Sequence, residues 1–195
     1  MVGNISDSFR LVITGNPGVG KHTAAIELRK ILDFAVIDIN DLAVKNQAFL
    51  QMPSLEIDSK KVAPIIESKL GESQRTLIVG HLAPYVLKKE WIDLTIVLRK
   101  SPYAILSTLE NRKYSAEKIR ENVASEILGI ILYDSVQCFG KEKIAELDTT
   151  QSTPAEVCKK IVSLLSAKTG RKIGVVDWLS LVYEKGDVRR FLEYS

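Results

Sequence analysis

The chain has 195 residues, 46% of them hydrophobic and 26% charged, with a formal net charge of +3. That balance excludes an extended disordered chain and fits one globular domain with a core of its own. The mild positive charge permits RNA or an acidic partner nearby without demanding either.

Met1 to Arg10 is polar and passes almost at once into an apolar run, and no stretch is apolar for long enough to span a bilayer. Neither a signal peptide nor a membrane contact is expected, and the reading is of an intracellular protein. Leu11-Val12-Ile13-Thr14 reads as a buried strand. Gly15-Asn16-Pro17-Gly18-Val19-Gly20-Lys21-His22-Thr23 follows, and Ala24 to Leu32 has helical spacing. Strand, glycine-rich turn and helix are the setting a phosphate-binding loop requires. The glycines let successive N–H groups turn inward, the helix aims its positive end at the same place, and Lys21 adds a mobile cation. The pattern G-x-x-x-x-G-K-[ST] is met except at its last position, where His22 stands, with Thr23 one place later.

Phe34 to Ile39 reads as a second strand, so strands alternate with helices as in a parallel α/β sheet. Asp38, Asn40 and Asp41 gather at its C-terminal end, where such sheets bind ligands. They serve a site there, or Asn40 or Asp41 simply caps the next helix. Gln47 to Ser59 is irregular around Pro53, and Asp58 or Ser59 can start a helix reaching about Leu70, with Gly71 as its stop. Thr76 to Val79 is the third strand, followed by Gly80 and His81. In a phosphate-binding fold this strand usually ends in a carboxylate that orders a metal ion, and here none stands. His81 either positions an attacking water or senses phosphate, or is satisfied by a backbone carbonyl.

Leu94 to Arg99 is the fourth strand; Ser101 can cap the next helix, with Pro102 in its first turn, running to Arg112. A long helix is expected from Ala116 to about Phe139, capped by Ser115, with Ile119, Val123, Ile127, Ile130 and Ile131 on its buried face. Arg112 and Lys113 at the corner between the two helices fit a short lid over phosphates, or a solvated basic corner. Ala145 to Asp148 is the fifth strand, then a turn to Pro154 and a helix from Ala155 to about Ala167 that Thr153 can cap. Cys138 and Cys158 match no metal spacing and read as reduced, partly buried thiols. From Gly170 on, Asp177 can cap a helix carrying Trp178, Leu181, Val182 and Tyr183. This tail is a docked helix, or a partner-binding arm anchored by Trp178, Tyr183 and Arg190.

The segments Gly15 to Lys21, Asp41-Leu42-Ala43, Gly80-His81, Ile96 to Arg99, Leu109 to Tyr114, Lys118-Ile119, Glu121-Asn122 and Glu126-Ile127 follow one another at set intervals. Together they resemble the adenylate kinase isoenzyme 6 family over roughly residues 9 to 167, and the loop has the G-x-P-G-x-G-K-x-T form common in small nucleotide kinases. The resemblance implies an α/β P-loop NTPase fold of nucleoside monophosphate kinase type, with a five-stranded parallel sheet and helices on both faces. The core would span residues 1–168, with an acceptor region near 38–61, a short lid near 111–121, and a C-terminal helical extension over 169–195. It implies ATP with Mg²⁺, AMP as acceptor, and accompanying ATPase activity. It further implies a role in small ribosomal subunit assembly and rRNA maturation, with a small-subunit ribosomal protein and pre-ribosomal RNA as contacts. It places Gly18, Gly20, Lys21, His22, Thr23 and Arg112 on ATP, with Lys21, His81 and Arg112 catalytic. Asp38 and Asp41 fall at the acceptor and Thr23 at the metal.

Two positions depart from that family: Val79 stands where its Asp-x-His motif has aspartate, and His22 where threonine is common. Asp38 or Asp41 would then hold Mg²⁺ through water, or serve the acceptor alone. Between Leu32 and Gln74 there is no arginine, only Lys45, Lys60, Lys61 and Lys69. Lysine cannot copy the two-pronged grip of arginine on a monophosphate, so weak acceptor binding and a low kinase rate are expected. The rival reading is an ATP-switched assembly factor with little kinase activity. A kinase for another nucleoside monophosphate is a third.

Overall fold

A computed structural model describes residues 5–48, 58–72, 75–166 and 170–193. Five short apolar runs form one sheet: β1 (Arg10–Thr14), β2 (Ala35–Asp38), β3 (Thr76–Val79), β4 (Leu94–Arg99) and β5 (Ile144–Asp148). Their spatial order is β2-β3-β1-β4-β5, and every ladder is parallel. Parallel sheets need cover on both faces, which explains the almost unbroken apolar sequence of β1, β3 and β4. Along β1, Leu11 and Ile13 enter one core and Val12 the other, the two-residue alternation of a pleated strand.

The covering helices are, in chain order, α1 (Lys21–Arg29), α2 (Ile39–Lys45), α3 (Ser59–Glu72), α4 (Ala83–Val86), α5 (Pro102–Asn111), α6 (Ala116–Leu128), α7 (Ile130–Phe139), α8 (Pro154–Ser166), α9 (Trp178–Glu184) and α10 (Val188–Leu192). Leu28 of α1, Ile105 of α5, Val123 of α6 and Ile161 of α8 build the core on one face. Ile39 of α2, Ile66 of α3, Val86 of α4 and Phe139 of α7 build it on the other. Among the described residues no helix is long and apolar enough to cross a membrane.

Several local expectations are corrected. The long helix over 116–139 is two helices, because Gly129 takes a left-handed φ of 67° that ends α6 and starts α7. The turn carries the chain from the first core, through Ile127, to the second, through Ile131. Gly71 does not stop α3, which runs on to Glu72. The cap of α2 is neither Asn40 nor Asp41 but Asp38, whose carboxylate accepts from the backbone N–H of both. Ser101 occupies the cap position of α5 without a side-chain bond, whereas Ser115, Thr153 and Asp177 do accept the expected N–H groups. Cys158 is buried, but Cys138 is exposed. Most of the irregular stretch around Pro53 lies outside the described residues.

The tail is docked. Trp178, Val182 and Phe191 are part of the first core, Tyr103 donates to Asp187 at 2.8 Å, and the Tyr103 and Phe191 rings meet edge to face. Trp178 is therefore no free anchor, while Tyr183 is 76% exposed.

Candidate active site

The loop after β1 is shaped by glycine. Gly15 sits at φ 131°, and a Cβ there would lie 2.3 Å from the carbonyl oxygen of Leu98, so any other residue would push the loop off β4. Gly18 and Gly20 also have positive φ, and Gly20 opens α1 without a side-chain cap. The first N–H groups of α1 are thus left for a ligand, at the positive end of the helix.

A pocket of about 100 Å³ opens here. Gly18, Gly20, Lys21, His22 and Thr23 line it from the loop, His81 from the tip of β3, and Arg112 with Tyr114 from the corner between α5 and α6. Lys21, His22, Thr23, His81 and Arg112, assigned to ATP or catalysis from the sequence, are therefore in one place, both of the chain's histidines among them, while Lys113 of the expected lid does not line the pocket. Asn40, on the first turn of α2, completes the wall, and its buried Oδ1 has no hydrogen-bond partner. The sequence places it with Asp38 and Asp41 in the cluster at the end of the second strand, where site and cap are equal readings.

Lys21 is only 5% exposed, and its Nζ donates to the carbonyl oxygen of Asn16 at 2.8 Å. Burial pushes its pKa down to about 7, Arg112 adds to that, and Glu126 and Asp38 oppose it. A phosphate beside the ammonium would supply the opposite charge that such a site lacks. Burial, then the charges of Lys21 and His22, push His81 down to about 4. His81 is therefore neutral near pH 7 and presents one donor and one acceptor nitrogen.

Asp38 is paired across the ladder with Val79, so its carboxylate stands one strand over from the position where an acid was expected on β3. It accepts from His22 Nε2 at 2.7 Å. Burial raises its pKa, but the bonds from His22 and from the N–H groups of Asp41 and Asn40 prevail and hold it below the usual carboxylate range. The residue in the hydroxyl position of the loop is thus spent on tying α1 to the end of β2. Thr23, exposed in the pocket, is the oxygen group there that fits Mg²⁺, which binds through one or two protein oxygens plus waters and phosphates, whereas both Asp38 oxygens already accept hydrogen bonds and leave that carboxylate a role only through water. Among the described residues no three potential metal ligands converge, so a closed protein cage for a metal does not fit.

Asp41 does not reach the phosphate pocket. It is exposed and lines a second cleft of about 340 Å³ along β2, together with Asp38, Lys45, Arg29 and Lys69. Arg29 ends the nine residues of α1, about 13 Å along the helix from the loop, and is the arginine of this cleft. A third cleft of about 190 Å³ shares Gly20 and Thr23 with the loop and is walled by Lys100 after β4 and by Thr149, Ser152 and Pro154 after β5.

The AAA domain family model matches residues 11–129. A protein of Pyrococcus furiosus described as "Putative adenylate kinase" is 35% identical over 176 residues, covering 90% of this chain and 93% of its own length. One of Methanocaldococcus jannaschii with the same description is 35% identical over 180 residues, covering 90% of this chain and 96% of its own. Shikimate kinase from Bacteroides thetaiotaomicron superposes with a TM-score of 0.58 at 13% identity, covering 82% of this chain and 99% of that one. The enzyme from Acinetobacter baumannii in complex with shikimate gives 0.57 at 15% identity, covering 82% and 94%. The two structures share the fold of a P-loop kinase, the two archaeal proteins share sequence across nearly the whole chain, and the chain belongs to their nucleotide kinase family.

Proposed function

We propose that the chain transfers the terminal phosphoryl group of ATP to AMP, with slower transfer to water alongside. The observation that carries this reading is the convergence of Lys21, His81 and Arg112 with the start of α1 on one pocket. Phosphoryl transfer needs placement and charge neutralisation more than a strong base. The loop N–H groups and Lys21 would hold the outer phosphates of ATP, and Arg112 would close over them from the α5–α6 corner. Thr23, and Asp38 through water, would hold Mg²⁺, which when bound neutralises phosphate charge. His81, neutral and at the strand tip, would orient the attacking oxygen by hydrogen bonding, since a base of such low pKa abstracts protons poorly. The third cleft is suited to the adenine, and the end of the second at Asp38 and Asp41 to the acceptor.

The test is product analysis with Mg-ATP, with and without AMP. Expected are slow ADP formation alone and two ADP per ATP consumed when AMP is added. A rate indifferent to AMP would overturn the kinase reading.

One observation favours a second reading. The cations lining the cleft at Asp38 and Asp41 are Lys45, Lys69 and Arg29, and Arg29 sits at the end of α1 away from the loop. Water would then compete well with AMP, as suits an ATP-switched factor acting in small ribosomal subunit assembly on a small-subunit ribosomal protein or pre-ribosomal RNA. Hydrolysis that ignores AMP and rises with a basic small-subunit ribosomal protein is its signature.

A further inference from the structure

Behind the phosphate-binding loop, away from the cleft, lies a cluster of buried charge. Glu126 of α6 is wholly buried. Its Oε1 accepts from Arg99 Nε at 2.7 Å, the backbone N–H of Lys100 at 3.0 Å and Trp178 Nε1 at 3.1 Å. Its Oε2 accepts from Asn16 Nδ2 at 2.8 Å. Arg99 also donates to Glu146 at 2.6 Å, and Glu146 accepts the N–H of Val175 at 2.8 Å. Two buried carboxylates thus face one buried guanidinium, and the charge of Glu126 also acts on Lys21.

Asn16 is the link to the site. Its side chain is gripped at both ends, since Oδ1 accepts from Ser125 Oγ at 2.9 Å while Nδ2 is held by Glu126. Its backbone carbonyl holds Lys21 Nζ. A fixed amide fixes the backbone that carries it, and the loop has few other side chains to fix it. The chain of hydrogen bonds therefore runs from Trp178 in the tail, through Glu126, to Asn16 and the ammonium of Lys21. The tail is pinned on the far side by Asp187 on Tyr103 of α5, the helix that leads to Arg112.

We propose that Glu126 is a positioning residue for the phosphate-binding loop, and that the tail, through Trp178, sets how tightly the loop binds nucleotide. This rests on the reading of the loop as a nucleotide site. A cluster that only glued α9 to α6 would show in stability and leave affinity unmoved.

The test is a titration with fluorescent N-methylanthraniloyl-ADP and Mg²⁺. Trp178→Phe keeps most of the ring bulk and removes the donor. It is expected to weaken binding by about twofold to thirtyfold, the range for residues that act on a site through others. Asn16→Ala is expected to weaken it too, and the double variant to bind within about twofold of the weaker single, because both act through Glu126. Losses that multiply, or a Trp178→Phe affinity equal to wild type, overturn the proposal. A second measurement leaves position 178 intact: in Trp91→Phe, whose only tryptophan is Trp178, saturating Mg-ADP is expected to shift the emission, and an unmoved spectrum overturns the proposal. Failure of the wild-type chain to bind nucleotide at all would bring down the loop reading with it. Wild-type binding that Trp178→Phe does not weaken brings down this proposal alone.

Discussion

The donor and acceptor ends of the cleft are built on opposite plans. At the donor end the loop rests on buried polar groups: Asn16 is 3% exposed, Lys21 5% and Glu126 0%. At the acceptor end the corresponding groups face solvent: Asp41 and Lys45 lie on the surface. A buried network with every partner satisfied holds one geometry, whereas exposed charges are screened and mobile. The difference separates a rigid holder for the phosphates from a loose receiver for whatever accepts them.

The widest gap between the two ends is expected in stability. Glu126→Ala would leave Arg99 half-paired and the donors of Asn16, Lys100 and Trp178 without their acceptor. Breaking a buried pair of this kind costs about 3–5 kcal/mol. Asp41→Ala, on the exposed side, should change stability by no more than about 0.5 kcal/mol. Urea unfolding of the two variants checks this, and equal losses would erase the contrast.

Lys21→Ala comes next and separates function from stability. Removing a preorganised donor of this kind lowers kcat/KM by about a hundredfold to a thousandfold. Stability should not fall with it, because burial disfavours the Lys21 ammonium in the fold. ATP turnover together with urea unfolding decides, and an alanine variant that turns over ATP at the wild-type rate would remove the loop from the mechanism. Arg112→Ala should cost less, roughly tenfold, since the corner between α5 and α6 is exposed and its charge is screened. An Arg112→Ala rate equal to wild type would return that corner to being a solvated basic turn.

The same contrast divides what the sequence disclosed from what it did not. Strand, loop and helix over residues 11–29 were legible because glycine spacing and Lys21 are a local code, written in consecutive residues. The break at Gly129 was not, because the apolar pattern continues through Ile127, Ile130 and Ile131, and one glycine costs a helix only about 1 kcal/mol. The cap of α2 was misplaced because Asp38, Asn40 and Asp41 are all capping residues, and only the backbone angle at Asp38 chooses between them. The partner of His22 was hidden for another reason: it lies across β3 from β1, where only strand order brings it near. The link from Trp178 to Glu126 spans 52 positions and pairs an indole with a carboxylate, types that carry no shared spacing.

The effect that depends on pH concerns His81, between the two ends. Its ordinary pKa of 6.5 falls to about 4 in the fold, first through burial and then through the charges of Lys21 and His22, with Asp38 pulling the other way. The unfolded chain therefore takes up a proton between pH 6.5 and pH 4 that the folded chain refuses. The contribution of His81 to stability is complete above pH 6.5 and is lost as the pH falls toward 4, with a slope of at most about 1.4 kcal/mol per pH unit. His81→Asn removes that proton, so the gap in stability between wild type and variant should move in the variant's favour from pH 7 to pH 4.5. Urea titrations at the two values measure it. Parallel curves would mean that His81 is hydrated enough to titrate as it does in the unfolded chain, and the strand tip would then belong to the open, acceptor half of the cleft.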